Sequence, residues 1–583
     1  MIGAAGARRL LRACAGGDPV RLGIRIAFAA CALAVVGWDL PSSFSWENDG
    51  VAPRDIFAGV AENLRPGHAF RYPLLAPLAL GFLCLPVLVP AALRAPSLRL
   101  DDLRAAVLAP PVMTACALIG RAVAIVAAMI ALASLGRIAA RLAGARAARF
   151  SEAFAATNLA FVYYGRATNL DGLALAASVL AVEYLIAACD AGRRRDVERC
   201  ALCAAAAVAI KDQYYAAFVL LPPVLVAVAR WQPAAIAAGA RARGTLARAG
   251  AVLVAAYAVG SGAAFNPSGF VTRARALLGP ASGDYRAYER SAAGVLANLG
   301  DVLRGQADTF WPWPVVALAW GGVALALLGV LRRRRGALLL LPLAAGAGSL
   351  IFFVLAVGRT EHRFVLPLGF WLSLYAGLGA ATLADAAARP RAARAAAAAL
   401  LAWAALPPIA LALTQWRDGR RDVEAWLRRQ PAGTTVETYG PLVYLPRFDA
   451  AAPTRAARVG PEPAEAHNPL AGMREVQDEI ANLPRRSPDV VVVTEGFALP
   501  DLAQPPAPGR VFPPLWRRAR ADEASARLIR DAVAGTLDGY RLCFVAAPAL
   551  PAPFAWLGLR PPRVHVSTGM RTWVLARASG CSP

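Results

Sequence analysis

Residues 113–149 read MTACALIGRAVAIVAAMIALASLGRIAARLAGARAAR, an apolar run that ends in a cluster of arginines from Arg137 to Arg149. The apolar part is as long as the roughly 20 residues that an α-helix needs to cross a hydrocarbon core. An arginine cluster beside such a run holds its loop on the cytoplasmic side of the membrane. This stretch therefore predicts a transmembrane helix whose C-terminal end faces the cytoplasm.

Apolar runs of similar length recur through the first two-thirds of the chain, which has 583 residues, is 58% hydrophobic and has a mean hydropathy of +0.47. The formal net charge is +24. Because the arginines are confined to short clusters between apolar runs, they indicate membrane topology and not nucleic-acid binding. The sequence therefore predicts an α-helical polytopic membrane protein and excludes a nucleic-acid partner.

The arginine clusters also set the path of the chain. Arginines in the first 21 residues place the N-terminus in the cytoplasm, so the apolar run at 23–40 is an uncleaved first span that exports the following loop. Later clusters return to the cytoplasm, and the outer turns between them fall at 166–172, 211–215, 264–312 and 359–363. The last span, near 395–414, exports everything that follows it. The pattern predicts about 11–13 spans within residues 1–415.

Residues 73–94 interrupt this pattern. They are apolar enough to span, but a single crossing would place the arginine cluster at 137–149 outside the cell. Four prolines within the segment are expected to break a plain helix. We favour a re-entrant or interfacial hairpin on the outer side, with two short crossings as the alternative.

Residues 416–583 differ in composition from the rest of the chain. Helix-type runs such as RRDVEAWLRR alternate with β-type runs such as TTVETYG, DVVVVTEG and TWVLAR. This alternation predicts a C-terminal α/β soluble domain, and the topology places it on the periplasmic or extracytoplasmic side. Cys543 and Cys581 can form a disulfide there if the compartment is oxidising.

Ionisable residues near the outer face of the membrane are the candidates for function, because charge beside a bilayer is costly. They are Glu47, Asp49, Arg54 and Asp55 in the first outer loop, and Asp171, Lys211, His362 and Arg363 in later turns. Lys211 is the only lysine in the chain. Structural roles are the alternative: Asp49 and Asp171 can cap helices, Lys211 can snorkel to the interface, and Arg363 can anchor a span.

Together these side chains suit a reaction on a phosphate ester that is held in the membrane. A carboxylate can take a proton from an acceptor hydroxyl, and cations can neutralise a leaving phosphate. A transporter or flippase of lipids or saccharides is an alternative, as is a non-catalytic scaffold that presents the C-terminal domain. A transporter would carry charges in mid-span and inverted repeats, whereas most charges here lie at span ends.

Five motifs, in this order, resemble the GT-C superfamily of polytopic glycosyltransferases, which includes protein O-mannosyltransferases and the lipid A aminoarabinose transferase. They are ENDG at 47–50, FRYPLL at 70–75, ATNLDG at 167–172, AIKDQ at 209–213 and EHRFVLP at 361–367. The resemblance covers about residues 20–415, and the tail is similar to the periplasmic domains of some members. The superfamily's Asp-Glu pair reads Glu-Asn-Asp here, and its double proline is the single Pro73.

The resemblance implies an inverting transfer from a polyprenyl-phosphate-linked sugar to a lipid, glycan or protein acceptor at the outer face of the cytoplasmic (inner) membrane. It implies Asp49 as the general base, with Glu47 as the second choice. It assigns Lys211, Arg363 and His362 to the donor phosphate, and Arg54 and Asp171 to the shape of the site. Asp55 and Tyr72 complete the expected substrate-binding set. The sequence requires no cofactor, and a divalent metal remains compatible with the resemblance.

Overall fold

The chain forms a helical bundle followed by a mixed α/β unit, as the sequence predicts. A computed structural model describes residues 18–42, 72–279, 283–333, 336–386, 390–448, 454–460, 473–498, 506–511, 523–565, 567–577 and 581. The helices of the bundle are α1 (Pro19–Ala34), α2 (Leu75–Leu93), α3 (Leu100–Val107), α4 (Pro110–Ala156), α5 (Leu159–Tyr164), α6 (Leu170–Ala191), α7 (Arg194–Ile210), α8 (Leu221–Trp231), α9 (Arg243–Gly260), α10 (Pro267–Leu278), α11 (Ala292–Arg304), α12 (Trp313–Arg333), α13 (Leu340–Ser349), α14 (His362–Ala386) and α15 (Pro390–Trp416).

Eight segments of the described chain are long and apolar enough to cross a membrane. They are Leu75–Leu93, Pro110–Ala156, Leu170–Ala191, Asp212–Trp231, Trp313–Arg332, Ala337–Leu355, His362–Ala386 and Arg391–Arg428. This is fewer than the 11–13 spans predicted from the sequence. Three of the predicted crossings correspond to α1, α7 and α9, which have 16, 17 and 18 residues and fall short in length or mean hydropathy.

Helix α4 gives a second reason why the structure has fewer candidate spans than the sequence predicts. The chain reverses direction within this helix, at Gly144. That glycine has a φ of +89°, outside the helical region. A Cβ on Gly136 would lie 1.5 Å from Oε1 of Glu152, although 16 residues of straight helix would separate the two by about 24 Å. The two arms of α4 therefore run in opposite directions, and the second arm leads through α5 to the next turn.

The hairpin predicted at residues 73–94 is wrong, since α2 is one continuous helix of 19 residues. Pro86 and Pro90 lie inside it. Pro77 falls in the first turn, where a helix tolerates proline because the amide has no intrahelical partner. The helix packs through Ala76 and Leu80 against Leu170 at the start of α6.

Ion pairs at both ends of α1 show which parts of α4 lie at each end of the bundle. At its N-terminal end, Arg21 and Arg25 both bind Glu152 of α4, at 2.6 and 2.7 Å. At its C-terminal end, Asp39 binds Arg121 of α4 at 2.5 Å. We call the end of the bundle that contains Asp39, Arg121 and the turns before α6 and after α7 the site end.

The tail contains a six-stranded sheet between two layers of helix. Its strands are β1 (Thr435–Tyr439), β2 (Arg455–Gly460), β3 (Met473–Gln477), β4 (Val490–Thr494), β5 (Arg541–Ala546) and β6 (Thr572–Ala576), in the order β3-β2-β1-β4-β6-β5. Strands β1 to β4 are parallel, and β6 runs antiparallel to β4 and β5. Helices α16 (Arg420–Arg428) and α17 (Glu523–Ala534) contribute to hydrophobic clusters that include opposite-facing residues of β4.

The tail rests on the site end of the bundle. Trp38 donates from its indole nitrogen to Asp418 at 3.0 Å, and the guanidinium of Arg420 lies 5.6 Å from the centre of the Trp38 ring. Further along, Arg510 binds Asp301 of the long turn after α9 at 2.6 Å. A disulfide joins Cys543 to Cys581, as the sequence allowed.

Candidate functional site

A buried ion pair lies at the turn before α6. Nζ of Lys211 contacts Oδ2 of Asp171 at 2.5 Å, and the two residues are 6% and 0% exposed. Asn169 caps α6 by accepting a hydrogen bond from the amide of Asp171 at 2.8 Å. Lys211 ends α7 in an extended conformation, which ends the helix beside this turn. The start of α6 and the end of α7 therefore hold both charged groups in the protein interior, away from water.

Each carboxylate oxygen of Asp171 accepts a hydrogen bond from a side chain of the 211–214 turn. Its Oδ1 accepts from the side-chain amide of Gln213 at 2.8 Å, and its carbonyl accepts from the hydroxyl of Tyr214 at 2.8 Å. A carboxylate that receives an ammonium and an amide can stay ionised when buried. Asp171 therefore anchors the 211–214 turn and fixes the position of Lys211; its part in shaping a substrate site stays a prediction.

A second charged group lies at the start of α14. Glu361 binds Arg359, and it also binds Nε of Arg363 at 2.7 Å. Desolvation raises the pKa of Glu361, and the guanidinium of Arg359 opposes this rise. The charges of Lys211 and Asp171 also act on Glu361. Gln213, close to Lys211 in the chain, and Phe364, close to Glu361, line the same small cavity, so the two groups lie near each other.

The two ion-pair groups together contain three cations, Lys211, Arg359 and Arg363, and two carboxylates, Asp171 and Glu361. The charge of Asp308 also acts on His362 beside them. Arg363 is only 6% exposed, and Glu361 compensates its charge in the protein interior. A guanidinium has five N–H donors, so Arg363 can donate to a phosphate as well as to Glu361.

His362 connects the cluster to the tail. Its Nδ1 lies 2.6 Å from the carbonyl oxygen of Val564, which also accepts from the hydroxyl of Tyr164 at 3.5 Å. Because a carbonyl can only accept, the proton of the imidazole must sit on Nδ1 in this contact. Nε2 of His362 is thereby left as the acceptor of the neutral ring, and it becomes a donor only when the ring is protonated.

The ion pair of Asp39 and Arg121 lies where the first outer loop begins. Both residues are almost fully buried, at 0% and 2% exposure. Arg121 also donates to the carbonyl of Val36. Beside the pair is a narrow polar cleft lined by Trp38, Arg121, Tyr163, Arg166 and Gln415, among others. This arrangement ties the start of the loop to α4.

The structure brings four of the predicted site residues together: Asp171, Lys211, His362 and Arg363. Tyr72 packs against the hydrophobic cluster formed by Ala76, Leu80 and Leu170, the last of which precedes Asp171 in the chain. The predicted bases Glu47 and Asp49, together with Arg54 and Asp55, lie outside the described residues. Their roles stay predictions.

Several residues in the cluster were not predicted from the sequence. Glu361 is the first residue of the EHRFVLP motif and Arg359 lies two residues before it, and their closeness to His362 in the sequence was the only signal. Gln213 follows Lys211 closely and could have been included with it. Val564 and His565 come from the tail about 200 residues away, and no local pattern marks them.

Within the described ranges, no group of three or more His, Cys, Asp or Glu residues is arranged to hold a metal ion. Cys200 and Cys203, which form a CxxC sequence, are free thiols without such a group. The carboxylates of Asp171 and Glu361 are each occupied by cationic side chains. The described part of the site therefore offers side-chain cations, and we assign no step to a metal.

No protein-family model and no curated protein matches the chain. Among solved structures it is similar to ArnT from Cupriavidus metallidurans bound to undecaprenyl phosphate, with 13% identity, coverage of 96% of this chain and 99% of that one, and a TM-score of 0.43. It is also similar to the oligosaccharyltransferase AglB from Archaeoglobus fulgidus in complex with an inhibitory peptide and a dolichol-phosphate (12% identity, 96% and 88% coverage, TM-score 0.38). The oligosaccharyltransferase of that organism has also been solved with Zn and sulfate, at 11% identity and a TM-score of 0.39.

These proteins are GT-C glycosyltransferases, the superfamily that the sequence motifs resemble. The polytopic helical architecture with a C-terminal α/β unit agrees with that resemblance. At these identities and TM-scores the likeness supports no conclusion about the structure or the reaction of this chain.

Proposed function

We propose that this protein is a membrane glycosyltransferase that moves a sugar from a polyprenyl-phosphate donor to an acceptor at the outer face of the cytoplasmic membrane. The observation that carries the proposal is the buried pair of Lys211 and Asp171 beside the pair of Arg363 and Glu361. This cationic cluster lies at helix ends on one side of the bundle, beneath the tail. A phosphate at the headgroup level of a membrane lipid would reach it there.

Lys211 and Arg363 suit two different parts of a phosphate. The ammonium of Lys211 is a compact charge that Asp171 holds in one place, and a lysine binds phosphate as a point charge. The guanidinium of Arg363 is planar and can donate two parallel hydrogen bonds to phosphate oxygens. Fixed donors of this kind stabilise the negative charge that develops on a leaving phosphate.

The transfer itself requires a base for the acceptor. Asp49, or Glu47 as the second choice, would remove the proton of an acceptor hydroxyl as its oxygen attacks the anomeric carbon. The bond between that carbon and the phosphate oxygen breaks, so polyprenyl phosphate leaves with the electron pair and the sugar is inverted once. The ion pair of Asp39 and Arg121 supports this role, because it holds the start of the loop that contains both carboxylates at the site end.

The domain boundary and the membrane orientation belong to the same proposal. Residues 1–415 would form the transferase unit, and residues 416–583 would form a periplasmic domain above it. The contacts of Asp418, Arg510 and Val564 with the bundle support a tail on the same side as the site. The acceptor would be a lipid, a glycan or a protein that reaches the site from that compartment.

Purified protein reconstituted in vesicles with a polyprenyl-phosphate sugar tests transfer against transport. A transferase releases polyprenyl phosphate as sugar joins the acceptor, and the released lipid is measured by mass spectrometry. A transporter or flippase would move the intact lipid between leaflets without releasing the sugar. Translocation of the lipid without release of polyprenyl phosphate would contradict the proposal. A folded preparation that shows neither release nor translocation, and that binds no polyprenyl phosphate, would also contradict it.

A further inference from the structure

We propose that His565, in the tail, is a further substrate-binding residue of the transfer site and donates a hydrogen bond from Nε2 to a phosphate oxygen of the polyprenyl-phosphate donor. The inference rests on the proposed function and adds to it a residue that the family resemblance does not mark. It makes one loop of the tail a part of the donor site.

The loop that contains His565 is inserted into the end of the bundle. Val564, the preceding residue, is 1% exposed and belongs to the main hydrophobic cluster of the bundle. Its carbonyl oxygen accepts hydrogen bonds from His362 and Tyr164. On the tail side, Arg420 donates to the carbonyl of Ser567 at 2.8 Å. The loop is thus fastened from both sides, so the position of His565 is well defined.

The ring of His565 is fixed in one orientation. It stacks on the ring of Tyr163 with 5.5 Å between the centroids and 12° between the planes. The backbone amide and the hydroxyl of Ser567 lie 3.2 and 2.7 Å from its Nδ1. Because a backbone amide can only donate, Nδ1 is an acceptor, and the proton of the neutral ring sits on Nε2.

His565 remains neutral where it lies. Burial lowers its pKa to about 3, and the positive charges of Arg363 and Arg420 act in the same direction. A neutral ring can stand among these cations without repulsion and still donate from Nε2. The ring therefore adds a donor to the site and no further charge.

Nε2 forms no hydrogen bond with any residue in the part of the chain that the structure describes. The side chain is more than nine-tenths buried, at 8% exposure. Nε2 is not among the fully enclosed polar atoms of the described chain that lack a partner, so it opens to the surface, where a ligand can reach it. The adjacent carbonyl of Val564 contacts His362, and His362 precedes Arg363; both are predicted phosphate ligands. A fixed, neutral and accessible donor at this place suits a phosphate oxygen of the donor lipid.

Binding of undecaprenyl phosphate to the full-length protein in detergent tests this assignment. H565F keeps a ring to stack on Tyr163 and removes the donor, and H565N keeps an acceptor for the amide of Ser567 but is too short to reach the position of Nε2. Both should bind the lipid about 10- to 100-fold more weakly, since a hydrogen bond to a charged group is lost. H565Q, whose amide nitrogen reaches the position of Nε2, should retain most of the affinity.

Y540F is the matched control, because Tyr540 donates one hydrogen bond to Pro488 inside the tail at 2.8 Å. It should leave the affinity unchanged. Thermal unfolding of each variant shows whether it is folded, and H565N decides the matter if H565F is not. Wild-type affinity in a folded H565F or H565N would overturn the inference. If R363Q then weakens binding, the proposed function stands; if the wild-type protein itself binds no undecaprenyl phosphate, the proposed function fails as well.

Discussion

Replacing Lys211 with methionine, alone and together with D171N, separates the structural role of this pair from its role in binding phosphate. The single change K211M leaves the carboxylate of Asp171 buried, with Gln213 as the remaining side-chain donor to its oxygens. Removing one partner of a buried pair costs about 3–5 kcal/mol, because the other charge is left uncompensated. The free energy of unfolding of K211M should fall by about that amount.

The double variant D171N/K211M removes both charges. An amide of the same shape as the carboxylate can keep the hydrogen bond from Gln213, and methionine fills the volume of the lysine stem. Replacing a buried ion pair by neutral groups of similar volume is often neutral for stability. We therefore expect the double variant to regain most of the stability that K211M loses.

Affinity for undecaprenyl phosphate should respond differently. Loss of a hydrogen bond to a charged group is worth about 1.5–3 kcal/mol, which is a factor of about 10–150 in the dissociation constant. Because the double variant still lacks the cation, its affinity should stay reduced although its stability returns. Thermal unfolding and lipid binding, measured on the same detergent-solubilised preparations, give both quantities.

A surface pair at the opposite end of the bundle supplies the control. Arg146 of α4 pairs with Asp385 at the C-terminal end of α14, and the two side chains are 56% and 66% exposed. The variant R146M/D385N should change stability by no more than about 1 kcal/mol and leave binding unchanged. If D171N/K211M binds the lipid as tightly as the wild type, Lys211 is only the counter-ion of Asp171 and the proposed phosphate site is wrong.

Three further predictions concern the base, the acid stability of the tail and its disulfide. D49N should lower turnover by about 10²–10⁴-fold with little change in stability. If Asp49 only caps a helix, the variant should instead lose about 1 kcal/mol of stability and keep its rate. If turnover is abolished only in E47Q, the base is Glu47. Burial alone would raise the pKa of Glu495, but hydrogen bonds from Arg571 and Arg563 outweigh this effect and lower the pKa from its ordinary 4.5. The ionised Glu495 therefore stabilises the folded tail above that pH, and this stabilisation is lost as the pH falls. Thermal unfolding at falling pH should therefore show a steeper loss for the wild type than for E495Q, and equal losses would refute the assignment. C543S/C581S should lower the stability of the tail by about 2–4 kcal/mol, because the disulfide closes a loop between residues 38 apart; an unchanged unfolding midpoint under reducing conditions would contradict this.

The fold class, and the placement of four candidate residues at one end of the bundle, could be predicted because their signals are local. Apolar length and arginine clusters mark the spans, and residues at the turns between spans, such as Asp171 and Lys211, must lie at an end of the bundle. The α/β character of the tail followed from β-type runs that reappear as β1, β4 and β6. Each of these inferences needs only a short stretch of chain.

The other features of the fold and of the site could not be predicted, because a short stretch of sequence does not reveal them. The reversal of α4 at Gly144 falls within the arginine cluster that was predicted to form a cytoplasmic turn, but no pattern in the sequence indicated that helix continues on both sides of a single turning residue. Pro86 and Pro90 are accommodated inside α2, although their chemistry favours a break. The contact between His362 and Val564 joins residues 202 positions apart and exists only because the tail folds back onto the bundle.

The polyprenyl-phosphate sugar pool of living cells tests the central claim most directly. Cells that lack this protein, or that carry D49N, should accumulate one polyprenyl-phosphate sugar, and the same sugar should disappear from one lipid, glycan or protein of the cell envelope. The wild-type protein should restore both, as measured by mass spectrometry of lipids and envelope glycans. An unchanged lipid pool together with an unchanged envelope in cells that lack the protein would contradict the assignment of a glycosyltransferase.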